Sequence, residues 1–331
     1  MITKCDDYSG FMDETTLLPG PPPTVVRHKY ATVNGVRLHY AEALPAEADP
    51  NRTANVPLCL ALHGFPEFWY AWRHQLPALA AAGFRAIAPD LRGYNLSGKP
   101  RGVTRYGVAH LVADAAGLVR ATGHPRAAVV GHDWGGAVAW ALAMRHPELV
   151  ERLVVLNAPH PAAYLRELRT PSQLLRSWYV FFFQLPGLPE WFLRRHEFAF
   201  LDRALRRQVV RPGAFTDEDV RLYKEALGRP GALTAALNYY RALFRGGLRR
   251  AREQVRPVTA PTLLLWGEQD RYLTPRLTEG LEPWVPDLRV ERFADASHWL
   301  HAEWPERVNR LTVEFLRGET GGRGTEAPRP R

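Results

Sequence analysis

The segment Gly131-His132-Asp133-Trp134-Gly135-Gly136 constrains this chain more than any other. The apolar stretch 127–130 before it has strand character, and residues 137–145 after it carry apolar side chains at helical spacing. A strand, a sharp turn of small residues and a helix form the setting of the nucleophile elbow, whose general pattern is G-x-S-x-G. Here the central position holds Asp133 instead of serine. A hydroxyl needs a base to become reactive, whereas a carboxylate is already ionised at neutral pH. Asp133 is therefore suited to displacing a leaving group from carbon and forming an alkyl ester.

The rest of the chain repeats the strand–helix alternation. Residues 26–33 and 36–42 flank Asn34-Gly35, a hairpin signal. Strands are predicted at 58–62, 84–88, 153–156, 262–266 and 290–293, and helices at 69–82, 108–122 and about 305–316. A hairpin followed by this alternation predicts an α/β fold, with a mostly parallel sheet flanked by helices. The alternation stops between 159 and 256, where helical periodicity, aromatics and prolines predict an inserted helical cap. The core then comprises 24–158 and 257–317. Residues 1–23, ending in Pro21-Pro22-Pro23, are expected to be a disordered leader, and 318–331 a disordered tail.

Composition excludes several classes. The 331 residues are 46% hydrophobic with ten tryptophans, ample for one large core or a core with an insertion. The net charge of +9 comes from arginine spread along the chain. Its dense cluster, Arg245, Arg249, Arg250, Arg252 and Arg256, reads as a solvated helix face, so no nucleic-acid partner is expected. The N-terminus lacks an apolar signal region, and no stretch reaches the ~20 apolar residues of a membrane span. The greasy run 178–185 ends at Pro186 and reads as a core or pocket segment. Cys5 and Cys59 suggest neither a disulfide framework nor a metal site; Cys59 reads as a buried structural thiol, and a cytoplasmic location is expected.

Chemistry in an open parallel sheet gathers at the carboxyl ends of its strands. The predicted strand 262–266 runs into Asp270, and 290–293 runs into His298. Nucleophile, acid and histidine thus follow the chain order of a catalytic triad, with Asp270 orienting His298 as general base. His63-Gly64-Phe65-Pro66-Glu67 also follows a strand. There the backbone N–H of Phe65, together with that of Trp134, is expected to form an oxyanion hole. His132 is expected to be structural, Asp90 and Arg92 to stabilise a loop, and His124, His160 and His301 to be surface or boundary residues. Glu67 is read equally as a water-ordering or a structural group.

These motifs, with Asp90-Leu91-Arg92-Gly93-Tyr94, Trp266-Gly267-Glu268-Gln269-Asp270 and Ser297-His298, resemble the soluble epoxide hydrolases of the α/β-hydrolase superfamily over residues 27 to 316. The resemblance implies two cap tyrosines that hydrogen-bond the epoxide oxygen. They fall at Tyr179, ahead of Phe183-Gln184-Leu185-Pro186-Gly187, and at Tyr240 in Asn238-Tyr239-Tyr240-Arg241, with Tyr239 as the neighbouring alternative. It implies hydrolysis of an epoxide to a vicinal diol through an aspartyl ester, with water as co-substrate and no cofactor or metal. Haloalkane dehalogenases share the single motifs. Trp134 could donate to a halide, but Phe65 stands where such relatives often carry asparagine, and Trp178 and Trp191 leave a cap donor open. An intact triad argues against a third reading, a non-catalytic binding protein. Trp178, Phe181, Phe182, Phe183, Trp191 and Phe192 suggest an apolar pocket wall, with Trp178, Phe182 and Phe183 as substrate contacts. An aryl or alkyl epoxide is therefore expected rather than a charged one. The sequence leaves the oligomeric state open, a homodimer included.

Overall fold

A computed structural model describes residues 15–18, 23–246 and 255–319. Nine strands form one sheet: β1 (Thr15–Leu18), β2 (Thr24–Val33), β3 (Val36–Ala43), β4 (Leu58–Leu62), β5 (Arg85–Pro89), β6 (Ala127–His132), β7 (Val150–Leu156), β8 (Thr262–Gly267) and β9 (Leu288–Phe293). Their spatial order is β1-β2-β3-β5-β4-β6-β7-β8-β9. The pairs β1–β2, β2–β3 and β3–β5 are antiparallel, and the remaining pairs are parallel. Val33 pairs with Val36 around Asn34 and Gly35, whose φ angles of 48° and 71° are those a two-residue hairpin turn requires. Strands β4, β5, β6 and β8 are buried along their whole length, as strands covered on both faces must be.

On the sheet lie α1 (Gln75–Ala81), α2 (Val108–Ala121), α3 (Asp133–Arg145) and a C-terminal helix, Pro305–Leu316. α2 packs on α3, and α1 packs on the C-terminal helix. The expected helix over 69–82 is broken, because a 3-10 turn (Trp69–Trp72) precedes α1. α3 begins at Asp133, four residues earlier than its apolar periodicity indicates. Its first turn lies against β4: a Cβ on Gly135 would come within 2.0 Å of the Leu62 carbonyl oxygen.

The expectation of a disordered leader fails at residues 15–18. Thr15–Leu18 pairs antiparallel with β2, and Leu18 is buried in the core. Residues 1–14 and 19–22 of the expected leader, Cys5 among them, lie outside the described residues, as do 320–331 of the expected tail. Arg249, Arg250 and Arg252 also lie outside them, while Arg245 and Arg256 are exposed.

Between β7 and β8 there is no strand among the described residues. α4 (Pro161–Glu167), α5 (Pro171–Arg176), α6 (Trp178–Phe182), α7 (Leu188–Asp202), α8 (Asp217–Gly228) and α9 (Ala232–Gly246) fill this insertion. Its prolines start helices: α4, α5 and α7 each carry one in the first two positions, where a missing N–H costs nothing. A capping box of Thr216 and Asp219 starts α8. Among the described residues no helix is long and apolar enough to cross a membrane.

The sheet order reverses at β4, whose neighbours are β5 on one side and β6 on the other. The loops leaving β4 and β6 therefore open side by side at a topological switch point, the usual place for a ligand crevice in such sheets.

Candidate active site

Asp133 is the first residue of α3, with φ of 49°, a left-handed conformation uncommon outside glycine. Gly64 leaves room for it, since a Cβ there would fall 2.4 Å from the Asp133 Cβ. The Phe65 N–H donates to Asp133 Oδ1 at 2.9 Å. The Trp134 N–H belongs to the first turn of α3, where backbone donors have no partner within the helix.

Asp133 Oδ2 lies 3.6 Å from His298 Nε2. On the other side of the ring, His298 Nδ1 donates to Asp270 Oδ2 at 2.6 Å. Asp270 is itself held by Asn157 Nδ2 at 2.6 Å and by the N–H groups of Tyr272 and Leu273 at 2.7 and 3.1 Å. Burial alone would raise the Asp270 pKa, but His298 and these donors hold it below its ordinary value of 3.8. Burial opposes charge on His298 too, yet the Asp270 and Asp133 carboxylates push its pKa up to about 10. The hydrogen bond to Asp270 fixes the ring so that Nε2 faces the nucleophile. Asn157 carried no motif to reveal it; it takes its place from the end of β7.

A cavity of about 390 Å³ opens above Asp133, with Trp134, Tyr179, Tyr239 and Tyr240 in its wall. The Tyr179 and Tyr240 rings meet edge to face at 5.8 Å, and Tyr240 stands perpendicular to Trp134 at 5.1 Å. Burial, reinforced by the Asp133 charge, lifts both phenols well above their usual pKa of 10, so both stay protonated donors. Tyr239 differs: its hydroxyl already donates to the Arg92 carbonyl at 2.7 Å.

The aromatic run divides by helical spacing. Tyr179 and Phe183, four apart, turn inward; Phe183 is buried against Phe65 and Tyr240. Trp178 and Phe181, three apart, turn outward. Trp178 is 61% exposed and touches Phe182, so the expectation of Trp178 as a pocket wall is not met. Trp191 and Phe192 are exposed as well, and Phe182 is half-buried. Walls that the sequence did not indicate come instead from Tyr164, Leu168, Leu243 and Leu273.

The histidines expected at the surface or at a boundary are buried. His124 Nε2 donates to the Val56 carbonyl at 2.9 Å, and His160 Nδ1 accepts from Ala162 N–H at the start of α4. His301 joins a buried cluster with Glu67 and His132. Glu67 Oε2 accepts from Gly64 N–H at 2.9 Å and from His132 Nδ1 at 2.7 Å, and its Oε1 lies 3.2 Å from His301 Nε2. His132 Nε2 faces the His298 carbonyl at 2.9 Å. Both nitrogens of His132 thus have an oxygen within hydrogen-bond distance. Against the penalty of burial, the two histidines hold the Glu67 pKa well below 4.5; burial takes His301 down to about 4. The ligand atoms of Glu67, His132 and His301 lie within 4.8 Å of one another, the spacing of a metal set. Hydrogen bonds within the cluster engage the atoms that would bind an ion, and they tie the oxyanion loop to the backbone of His298. Asp90 and Arg92 likewise brace loops: Asp90 accepts from Trp69 N–H, His39 and Asn95, and Arg92 makes a two-pronged contact with Asp114. The Cys59 thiol is buried, which pushes its pKa up to about 12.

Residues 57–305 match the α/β hydrolase fold family. The chain is 43% identical to AB hydrolase superfamily protein YfhM of Bacillus subtilis, over 89% of this chain and 99% of that one. It is 37% identical to Epoxide hydrolase 4 of Mus musculus, over 90% of this chain and 82% of the relative. A crystal structure of an epoxide hydrolase from Bacillus megaterium superposes with a TM-score of 0.77 at 34% identity, covering 87% of this chain and 100% of that chain. The fold, the strand-end site and these relatives agree, and the chain belongs to the epoxide hydrolases of the α/β hydrolase family.

Proposed function

We infer that this protein hydrolyses an epoxide to a vicinal diol through an ester on Asp133. One observation carries the reading: the Asp133 carboxylate has the His298–Asp270 pair on one side and two protonated phenols sharing its cavity on the other. The carboxylate attacks a ring carbon while Tyr179 and Tyr240 donate to the ring oxygen. Tyr240 is favoured over Tyr239 because the Tyr239 hydroxyl is committed to the Arg92 carbonyl. Esterification removes the Asp133 charge, and with it one of the two anions that hold His298 protonated. One phenol protonates the opened-ring alkoxide and is reprotonated by His298, which thereby becomes a competent base and takes a proton from water; the hydroxide attacks the ester carbonyl, the acyl C–O bond breaks as the diol oxygen takes that proton, and the Asp133 carboxyl proton returns to His298. The N–H groups of Phe65 and Trp134 receive the oxyanion. The helical insertion, 159–256, is the cap that brings the phenols to the core. A variant of the Bacillus megaterium enzyme is known in complex with its product, (R)-3-[1]naphthyloxy-propane-1,2-diol. That precedent supports an apolar epoxide as substrate.

The deciding assay offers styrene-oxide-like and aliphatic epoxides beside bromoalkanes and scores diol against halide ion. Diol without halide, lost in Asp133→Ala, is expected; halide without diol would establish dehalogenation instead. In heavy-oxygen water, the first turnover should label Asp133 and not the diol. The exposed cap residues Trp178, Trp191 and Phe192 support a homodimer paired through this face, which sedimentation of the protein and of Trp191→Ser would test. The buried, free thiol of Cys59 supports a cytoplasmic location, to be tested by fractionation of the native host.

A further inference from the structure

Residues 208–211 of the cap are fastened to the core at two points, and both lead to the triad. Gln208 Oε1 accepts from the Tyr272 hydroxyl at 2.5 Å, and the Tyr272 N–H is one of the donors that hold Asp270. Two residues on, the N–H groups of Val210 and Arg211 both donate to Glu303 Oε1, the second at 3.1 Å. The other oxygen of the same carboxylate, Oε2, accepts from the Ser297 N–H at 2.6 Å. Ser297 is the residue before His298. One side chain thus holds a backbone segment of the cap with one oxygen and the loop that carries the base with the other. Arg211 adds a hydrogen bond from Nη1 to the Glu303 carbonyl at 2.9 Å and lays its guanidinium over Trp304 at 4.8 Å.

Glu303 is 1% exposed and ends the helical turn Leu300–Glu303, which follows the base. A buried carboxylate is costly unless donors meet its oxygens, and here they are met by backbone N–H groups whose directions the chain sets. A carboxylate accepts at both ends, whereas an amide accepts at one and donates at the other. An acid is therefore needed at this seam, where donors converge from two sides. The base loop has little room to adjust by itself: a Cβ on Gly267 would come within 2.0 Å of the Ser297 carbonyl oxygen.

We propose that Glu303 is a positioning residue for the second half of the reaction: it sets His298 through the Ser297 N–H, and the seated cap segment completes its shell of donors. This rests on the epoxide hydrolase reading and adds to it a residue that touches no reacting atom. Attack on the ring engages Asp133 and the phenols. Activation of water needs His298 Nε2 in place beside the ester, where a small misplacement is amplified in the rate. The same carboxylate links seating of the cap to alignment of the base. A different insertion would serve this base only if it offered Glu303 two such donors.

Rapid-quench mass spectrometry on the whole protein, with an epoxide that gives diol, separates the two halves. In Glu303→Gln the ester on Asp133 should form at the native rate and decay about tenfold more slowly, as the loss of one charge-assisted hydrogen bond warrants. The ratio kcat/KM, which reports the steps up to ring opening, should stay within about twofold of native. Arg211→Ala keeps the carboxylate and both N–H groups and should show the same pattern at about threefold. Equal slowing of formation and decay, or decay at the native rate, overturns the positioning role; should Glu303→Gln not fold, Arg211→Ala decides by the same criterion. NMR needs no turnover: the proton that His298 gives to Asp270 should shift in Glu303→Gln, and an unmoved resonance overturns the role as well. If no epoxide leaves an ester in His298→Gln while that proton shifts, the epoxide reading has failed and the positioning of His298 has not.

Discussion

The groups that the strand ends bring to the site are charged and tightly held, whereas those that the insertion brings are phenols and hydrocarbon. Asp133, Asp270 and His298 follow β6, β8 and β9, and each is fixed by hydrogen bonds to the core. Tyr179 and Tyr240 stand on α6 and α9, held by ring contacts. Burial differs in the same way. Residues of β4 and β8 are almost fully enclosed, while the insertion leaves Trp178, Leu175 and Trp191 exposed by 61, 73 and 57%. Charge in a low-dielectric site must be met by dipoles already in place, and only a rigid sheet supplies them cheaply. A neutral donor tolerates a looser support, so the selection of substrate can be left to the helices.

Activity should break along that line. Asp133→Asn is expected to lose turnover by at least about 10⁴-fold, since no other group can carry the ester. Tyr240→Phe should cost about 10²-fold, because Tyr179 still donates. Equal losses in initial-rate assays would erase the distinction between charged core and neutral cap. His298→Gln should still form the ester but not release it, so mass spectrometry should find a substoichiometric to full adduct on Asp133. An unmodified protein after exposure to a proven substrate would overturn the division of labour.

Stability offers a second contrast. Glu67→Gln removes the carboxylate on which two buried histidines converge and should cost about 3–5 kcal/mol in denaturant unfolding. The Glu67 pKa is lower in the folded protein than in the unfolded chain. Its stabilisation is therefore present above about 4.5 and fades as pH falls through the folded value. Native protein should accordingly lose more stability on acidification than Glu67→Gln does. A smaller effect is expected at His298. Asp133→Asn removes one raising charge, so the imidazole should titrate below about 10 by NMR, and an unchanged midpoint would mean that Asp270 alone sets it. Smallest of all, Leu175→Ser, at a position 73% exposed, should shift stability by only about 0.5 kcal/mol.

Legibility in the sequence follows the same division. Buried strands are short apolar runs, so β4, β6 and β8 could be recognised, and Asp133 and Asp270 stand just beyond the ends of two of them. β1 was missed because Thr15-Thr16-Leu17-Leu18 is too short to show alternation within a polar segment. α6 has five residues, too few for periodicity to tell an inward Tyr179 from an outward Trp178. Tyr239 and Tyr240 are told apart by a carbonyl on Arg92, 147 positions away. His301 read as a boundary residue because its partner, Glu67, lies 234 positions earlier. Contacts that decide orientation were thus the ones farthest apart in the chain.

One consequence follows from the direct pairing of β7 with β8. A parallel crossover between neighbouring strands needs only a dozen or so residues. The helices described along this one, α4 to α9, are surplus to the connectivity of the sheet. They amount to a cassette: a protein engineer could graft a different set between the same two strands, changing which molecules are admitted while the machinery beneath keeps its register.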